Sequence, residues 1–241
     1  FLVFIFVQKK IMNKYFTIIS VFVFLFSCEN EENVIEPISL SENVEIYERD
    51  LISNDYIFVV ENSSTYSYLI NKEGYKIYEW NFETRSGNDL EILSDGSIIG
   101  LFKDNNATID FGGFGGTGKI IDKNNNTTWE YTVSDDNSIA HHDIEILPNG
   151  NVLMMIWERI PIDEALANGV DFNTDIFTEK IIEINPSTNN IVWQWRSWEH
   201  IIQDKFEDLP NFGDINQNPE KININYSIDN PPGGSFLLMV S

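Results

Sequence analysis

Hydrophobic and polar residues alternate with a period of two along most of the chain after Val34, as they do in half-buried β-strands. The apolar runs are short, rich in β-branched and aromatic residues, and separated by clusters of Gly, Asn, Asp and Pro. The predicted strands include 56–60, 66–70, 98–102, 152–157 and 180–184, and the predicted turns are 72–74, 94–96, 124–126, 148–150 and 185–187. Helical periodicity is confined to 162–168 and to a turn near 200–205. The pattern therefore predicts an all-β fold.

These strands and turns recur as a unit. Residues 89–97 align with 143–151, and Tyr78-Glu79-Trp80 aligns with Trp129-Glu130-Tyr131. A third copy runs from 180 to 195. Four short strands repeated in this way are typical of a β-propeller blade, whereas a β-sandwich has short strands without a repeated unit. Residues 46–241 are therefore predicted to form a partial β-propeller with four-stranded blades, about three of them, where closed propellers typically have four to eight.

Residues 1–27 have the features of read-through sequence followed by a secretory signal. Met12 is the expected start, and a short positive region precedes the apolar run 15–26, which is short for a membrane span. The sequence Leu25-Phe26-Ser27-Cys28 resembles a bacterial lipoprotein processing site, so Cys28 is predicted to be lipidated. A signal anchor, or a plain signal peptide with an incidental cysteine, is the alternative. Residues 28–45 would then form an acidic tether.

This signal predicts an exported protein that is lipid-anchored at the outer membrane or cell surface, or else periplasmic. The chain has 15 Lys plus Arg against 38 Asp plus Glu, a formal charge of −23. Binding to nucleic acid needs a basic surface, so no nucleic-acid partner is predicted. The single cysteine excludes a disulfide framework and a multi-cysteine zinc cluster.

The chain has three histidines, and two of them are adjacent at the entrance to a predicted strand. His141 and His142 occupy the place where the preceding unit has Gly87-Asn88. A histidine there can act as a base, a nucleophile or a metal ligand. Alternatively it forms a structural His–Asp hydrogen bond between strands. Because adjacent residues of a strand point to opposite faces, the pair is a poor chelator, and no metal or other cofactor is predicted.

The run from His141 to Leu153, preceded by 118–122 and 129–131, resembles a block of the bacterial arylsulfotransferase family. Residues 191–195 with 198–204, and then 219–226, resemble two further blocks, so the similarity covers about residues 46–226. Members of this family are secreted six-bladed propellers. The resemblance therefore implies that this chain holds about three blades of an expected six and is an N-terminal fragment.

The resemblance also implies the reaction. An imidazole takes a sulfuryl group from an aryl sulfate donor and passes it to a phenol acceptor by a ping-pong mechanism, without a nucleotide donor. His142, His141 and His200 fall in or beside the blocks that contribute active-site histidines. Arg159, Arg196 and Lys119 could hold the sulfuryl oxygens or the aryl sulfate, although each taken singly is more typical of a solvated cation paired with a carboxylate.

This sequence also differs from the arylsulfotransferase family pattern after His200. Family members carry a further histidine after the 219–226 block, and it is the one expected to be sulfurylated; no histidine follows His200 here. This chain is accordingly expected to show little or no turnover. The glycine-rich run 112–118 precedes a predicted strand and is interpreted as a flexible loop. The alternative function is a non-catalytic surface lipoprotein that binds a ligand or protein partner; the oligomeric state is left open.

Overall fold

The structure is a computed structural model that describes residues 38–226 and the backbone of Leu237–Leu238. The chain divides into two compact units, 1–39 and 40–241, and every element below belongs to the second. The predicted signal, Cys28 and most of the predicted tether lie outside the described residues. The strands are β1 Ile57–Val60, β2 Tyr66–Ile70, β3 Lys76–Asn81, β4 Ser86–Ile92, β5 Ile98–Lys103, β6 Gly116–Ile121, β7 Thr127–Thr132, β8 Ser138–Ile146, β9 Val152–Ile160, β10 Ile176–Asn185, β11 Asn190–Arg196, β12 Ile201–Ile202, β13 Ile222–Asn223 and β14 Leu237–Leu238.

Strands β1 to β11 form three antiparallel sheets in which consecutive strands are neighbours. The first sheet is β1-β2-β3, the second β4-β5-β6-β7 and the third β8-β9-β10-β11. Strand β14 pairs in parallel with β10, and β12 with β13. The all-β prediction is confirmed. No sheet closes on itself within the described residues, so the propeller arrangement stays a prediction.

Helical structure is limited to short segments in the described part of the chain. The predicted helix is present as α1, Ile162–Ala167, and the predicted turn near His200 is a 3-10 turn, Ser197–His200. Two more 3-10 turns are Arg49–Leu51 and Ile215–Gln217. Among residues 38–226 and 237–238, no helix combines the length and apolarity needed to cross a membrane.

The sequence repeat has a structural counterpart in the backbone. Strand β4 shifts register against β5 between Ser86 and Leu90, and β8 shifts against β9 between Ala140 and Ile144. The outer hairpins of all three sheets shift register at the last one or two pairs before the turn. In the second and third sheets an asparagine with positive φ completes that turn, namely Asn125 and Asn189. The repeated sequence therefore encodes a repeated backbone with the same irregularities.

The sheets pack face to face through separate hydrophobic clusters. Phe58 and Trp80 of the first sheet pack with Phe102 of the second. Leu101 of the second sheet packs with Ile144 of the third, because strand β8 lies against the face of β4 to β6. A smaller cluster around Trp157 lies beside the start of β8. This last cluster supports the two adjacent histidines.

Candidate functional site

His141 and His142 lie in the irregular part of β8, where the register shift leaves His141, His142 and Asp143 without partners in β9. His142 has a φ of 52°, in the left-handed region that non-glycine residues seldom adopt. His141 is 1% exposed, whereas His142 is exposed. The bulge therefore turns two consecutive imidazoles into different environments, one in the core and one at the surface. Bulges of this kind often re-aim a side chain near an active site.

The glycine-rich run holds this bulge in place. The backbone N–H of His142 donates to the carbonyl oxygen of Gly113 (3.0 Å), that of Gly115 donates to Ala140 (2.9 Å), and Phe114 pairs with His141. Gly113 has a φ of 89°, and a Cβ there would stand 2.1 Å from the His142 ring. The interpretation of 112–118 as a flexible loop is only partly right, because Gly116–Ile121 is a strand and residues 113–115 bond to β8.

Three side chains form a hydrogen-bonded chain that ends at the exposed imidazole. Glu179 Oε2 lies 2.8 Å from His141 Nε2, and His141 Nδ1 lies 2.9 Å from His142 Nδ1. Trp157 stacks on His141 with ring centroids 4.0 Å apart, and its indole N–H donates to Glu179 Oε1 (3.2 Å). Trp157 thus orients Glu179, and Glu179 in turn orients His141.

When Glu179 is ionised and both rings are neutral, the hydrogen-bonded chain allows one tautomer for each ring. The carboxylate only accepts hydrogen bonds, so His141 donates from Nε2 and accepts at Nδ1. His142 must then donate from Nδ1, which leaves the lone pair on its Nε2. These proton positions are assigned from the hydrogen-bond network. His142 therefore presents an unprotonated Nε2, the form of imidazole that acts as a nucleophile or base.

The surroundings of His142 also favour its neutral form. Partial burial of the ring lowers its pKa below the ordinary value of 6.5, and a positive charge on the neighbouring His141 would lower it further. Glu179 and Asp143 act in the opposite direction but do not reverse the shift. At neutral pH the imidazole is consequently uncharged.

Aromatic side chains surround the buried end of the hydrogen-bonded chain, at His141. Phe111 packs on Trp157 with ring centroids 4.3 Å apart and meets Phe177 edge-on at 4.9 Å. Trp157 also packs with the buried Ile109 and Ile139. Trp157 and its neighbours thus form a rigid apolar support beneath His141.

A pair of carboxyl groups lies beside the bulge. Burial, followed by repulsion from Asp143, raises the pKa of Asp89 to about 6. Asp89 also accepts a long hydrogen bond from the backbone N–H of Ile144 (3.4 Å). Asp89 and Asp143 occupy equivalent positions of the repeat, so the first strands of two adjacent sheets bring like charges together. Partial burial, followed by repulsion from Glu145 and Asp143, also raises the pKa of Glu91.

The third histidine lies apart from the other two. His200 is exposed at the end of the 3-10 turn after β11, and its ring stacks on Trp195 at 5.1 Å. Strands β8 and β11 are opposite edges of the third sheet, three strand spacings or about 14 Å apart. The structure does not bring His200 into contact with His141 or His142. Its catalytic role stays a prediction.

Of the three predicted substrate-binding cations, Arg159 and Arg196 are hydrogen-bonded to carboxylates, and Lys119 lies near one. Arg159 donates from Nε to Asp175 (2.8 Å), and this contact, together with the Ile162 N–H, holds the pKa of Asp175 below its ordinary value. Asp175 thereby links Arg159 to the start of α1.

Arg196 donates from Nε to Glu158 (2.7 Å), a contact that raises its own pKa. Lys119 lies 3.9 Å from Glu130 and over the ring of Phe102. None of the three cations contacts His141 or His142 in the described residues, and their substrate-binding role stays a prediction.

The residues that position the histidines were missed by sequence reasoning. Glu179 is one acidic residue among many, and only its register opposite Trp157 brings it to His141. Gly113 is one glycine of a run. The available signal was the repeat itself, because Trp157 and Glu179 replace Lys103 and Gly116 of the preceding unit. Within residues 38–226, no group of three or more His, Cys, Asp or Glu side chains is arranged to hold a metal ion.

Comparison with known proteins gives a family and similar solved structures. The family model for arylsulfotransferase (ASST) matches residues 89–238. No curated protein matches the chain. A crystal structure of a protein of unknown function from Bacteroides caccae, at 1.35 Å resolution, is similar at 15% sequence identity with a TM-score of 0.38. The match covers 60% of this chain and 41% of that one, so the chain spans less than half of that protein's length.

Proposed function

Since the chain belongs to the arylsulfotransferase family, we propose that it transfers a sulfuryl group from an aryl sulfate ester to a phenol through a histidine, without a nucleotide donor. The observation that carries this proposal is the series of hydrogen bonds from Glu179 through His141 to His142. The site is assigned to His142 because its Nε2 keeps the lone pair and its ring is exposed. This differs from the expectation that a histidine after His200 is the nucleophile.

In the first half of the proposed reaction, His142 Nε2 attacks the sulfur of the donor. The bond between sulfur and the aryl oxygen breaks, and the phenolate leaves with the electron pair. As the ring gains positive charge, its Nδ1 proton moves to His141 Nδ1. His141 becomes an imidazolium that the Glu179 carboxylate stabilises, which is the role a buried carboxylate plays behind a catalytic histidine.

In the second half, the oxygen of the acceptor phenolate attacks the sulfur of sulfo-His142. The bond between nitrogen and sulfur breaks, and the electron pair returns to Nε2. The proton then returns from His141 to Nδ1 of His142, and the starting tautomers are restored. Each half therefore uses the same proton transfer, once in each direction.

The first experiment traps the intermediate. The chain is mixed with 4-nitrophenyl sulfate in the absence of acceptor, nitrophenolate release is followed, and the modified residue is located by peptide mass spectrometry. We expect one sulfuryl group per chain on His142, discharged when a phenol is added. A trapped intermediate is measurable even if turnover is slow. Sulfuryl groups on another residue, or none, contradict the proposal.

A matched pair of variants tests the hydrogen-bonded chain. Glu179→Gln should slow sulfuryl transfer about a hundredfold, because an amide cannot stabilise the His141 imidazolium. Glu183→Gln is the control, since Glu183 lies on the same strand but accepts hydrogen bonds from Asn149 and Asn151 instead. Equal rates in both variants would remove Glu179 from the mechanism.

A non-catalytic binding protein is the second candidate function. It is favoured by the salt bridges of Arg159 and Arg196 with carboxylates of the same protein, which occupy two of the three cations expected to hold sulfuryl oxygens. Saturable binding of the aryl sulfate without release of nitrophenolate would support it. Export and a lipid anchor at Cys28 are proposed for either function, and lipid labelling that is lost in Cys28→Ser would test the anchor.

A further inference from the structure

The first and second sheets enclose a cavity of about 540 Å³. It is lined by residues 81–84, which follow the end of β3, by Phe102 of β5, by part of β6, and by the β6–β7 turn with the start of β7. His141, His142 and Glu179 are not among its lining residues. The cavity is therefore separate from the histidine site, and its volume lies within the usual range of small-molecule sites.

The accessible lining of this cavity is polar. Nine of its thirteen lining residues are polar or charged. The other four are each less than a tenth exposed and contribute little surface, namely Phe82, Phe102, Ile121 and Trp129. The polar residues supply ammonium, hydroxyl, amide and carboxylate groups, so hydrogen-bond donors and acceptors are mixed. An apolar ligand would leave these groups buried without partners, which is costly.

Lys119, on the wall formed by β6, replaces a core residue of the repeat. Lys119 pairs with Gly100 and Ile182 pairs with Met154, so Lys119 and Ile182 are equivalent in the second and third sheets. Ile182 is 1% exposed within a hydrophobic cluster. The Lys119 side chain is 13% exposed, and its Nζ lies 3.9 Å from Glu130, beyond hydrogen-bond distance. A largely buried ammonium group is costly unless hydrogen-bond acceptors reach it.

A second polar group of the cavity lacks a partner. The Thr84 hydroxyl oxygen is buried, and no described residue forms a hydrogen bond with it. Thr84 lies in the connection from β3 to β4, whereas Lys119 is on β6. A buried hydroxyl without a hydrogen bond lowers stability and is uncommon in folded proteins. One ligand bound in the cavity would supply acceptors to both groups.

The walls of the cavity are held by contacts between the two sheets. The backbone N–H of Asn81 donates to the Asn125 side chain (2.9 Å), which fixes the β6–β7 turn against the end of β3. The Tyr78 hydroxyl donates to the carbonyl oxygen of Lys123 in the same turn. These contacts do not involve the polar groups that lack partners. The cavity is therefore formed before a ligand enters, which reduces the ordering cost of binding.

We propose that this cavity binds a neutral saccharide of one or two sugar rings. Each sugar hydroxyl both donates and accepts hydrogen bonds, which suits a lining of mixed donors and acceptors. Lys119 and Thr84 would donate to sugar oxygens, and Glu83 and Glu130 would accept from sugar hydroxyls. These two carboxylates, together with the formal charge of −23, disfavour an anionic ligand. Saccharide binding here does not depend on sulfuryl transfer at the histidines.

Saturation-transfer NMR on the full chain tests the proposal. The probes are glucose, galactose, mannose, maltose, cellobiose and lactose, each at millimolar concentration, in a detergent without a sugar headgroup. We expect signal from at least one of these sugars, and titration calorimetry then measures its affinity. Glucuronate and 4-nitrophenyl sulfate are the anionic comparisons, and neither should displace the bound sugar. No signal from any neutral sugar, or displacement by either anion, would overturn the proposal.

Two variants distinguish ligand binding from folding. Thr84→Val and Lys119→Ile should each weaken sugar binding about tenfold, because each removes a hydrogen bond to the ligand. Neither should lower the urea midpoint of the free protein, because each removes a polar group that has no hydrogen bond there. Lys119→Ile also restores the residue type that the third sheet has at Ile182. Unchanged affinity in either variant, or a lower midpoint for Thr84→Val, contradicts the assignment.

Thr132→Val is the matched control. Thr132 lies on the same face of the second sheet as Lys119 but outside the cavity, and its hydroxyl is hydrogen-bonded to that of Thr117 (3.0 Å). This variant should bind the sugar as tightly as the wild type, and its urea midpoint should stay the same or fall. Loss of sugar binding in Thr132→Val would show that the sugar binds elsewhere on the sheet.

Discussion

The second and third sheets have the same backbone but different chemistry. In both, the first strand bulges at the same point, between Ser86 and Leu90 in one and between Ala140 and Ile144 in the other. The second sheet has Gly87 and Asn88 in this bulge, and the third has His141 and His142. The bulge is therefore a property of the repeat, and the imidazoles are an addition to it.

The residues facing the bulge differ in the same way. At the ends of the neighbouring strands the second sheet pairs Lys103 with Gly116, whereas the third pairs Trp157 with Glu179. A stacking ring and a carboxylate thus accompany the two histidines and have no counterpart in the second sheet. The comparison teaches that the repeat supplies a frame, and that four substitutions on one copy supply the site.

The largest expected effect is on the support beneath His141. Trp157→Ala should destabilise the chain by about 3–5 kcal/mol, the usual cost of removing a buried aromatic side chain. The equivalent change in the second sheet, Lys103→Ala, should cost less than about 1 kcal/mol, because it removes only a cation–π contact with Phe114. Urea denaturation measures both. Similar losses of unfolding free energy in the two variants would mean that Trp157 stabilises its sheet no more than Lys103 stabilises the second sheet.

The next effect distinguishes two neighbouring glycines. Gly113→Ala should cost about 1–3 kcal/mol, because its φ is positive and the new Cβ would displace the His142 ring. Gly112→Ala is the control, since nothing lies within 4 Å of a Cβ there. Denaturation and the ring ¹⁵N shifts of His142 measure the change. If Gly112→Ala proved as harmful, the loop would not hold the bulge in the way described.

A smaller effect concerns the carboxyl pair that joins the two bulges. The pKa of Asp89 rises from 3.8 to about 6 on folding, so between these values the folded chain binds the proton more tightly and stability falls as pH rises. Above pH 6 the penalty is complete. Asp89→Asn should therefore stabilise the chain at pH 8 by about 1 kcal/mol, allowing for the solvent exposure of the group.

The gain in Asp89→Asn should shrink toward pH 4, and unfolding free energies at the two pH values measure it. Asp95→Asn is the control. Hydrogen bonds from Ser97 lower the pKa of Asp95, so this variant should show no stabilisation at high pH. A gain for Asp89→Asn that is independent of pH would contradict the assigned cause.

The smallest effect comes from placing an imidazole in the second bulge. Asn88 is exposed, so Asn88→His should change stability by less than about 0.5 kcal/mol. Gly87 stands in place of the His141 imidazole beside this exposed position, so the new histidine should titrate near the ordinary value of about 6.5. The pKa of His142 lies below that value, so its titration in the same NMR spectrum should come at lower pH. If the new histidine titrated at lower pH than His142, the backbone of the bulge, and not the side chains around His142, would set the pKa.

Much of the architecture could be predicted from the sequence. The period-two runs, the turn residues and the alignment of 89–97 with 143–151 predicted the strands, the helix at 162–168 and the repeat, because these follow from local pattern. The sequence also identified His141 and His142 as candidate site residues. Glu179 was not predictable, since its place at His141 depends on the pairing of β8 with β9 and of β9 with β10.

The sequence by itself determined the all-β class, the repeated unit, the family and the pair of histidines, since these depend on residue types and on short spacings along the chain. The tertiary structure alone decided which imidazole is buried, which tautomers are allowed, and that Arg159 and Arg196 bond to carboxylates. Those outcomes depend on strand register and on a bulge, which bring together residues distant in sequence. A one-residue shift in register turns every side chain of a strand to its other face, so no local pattern can settle them.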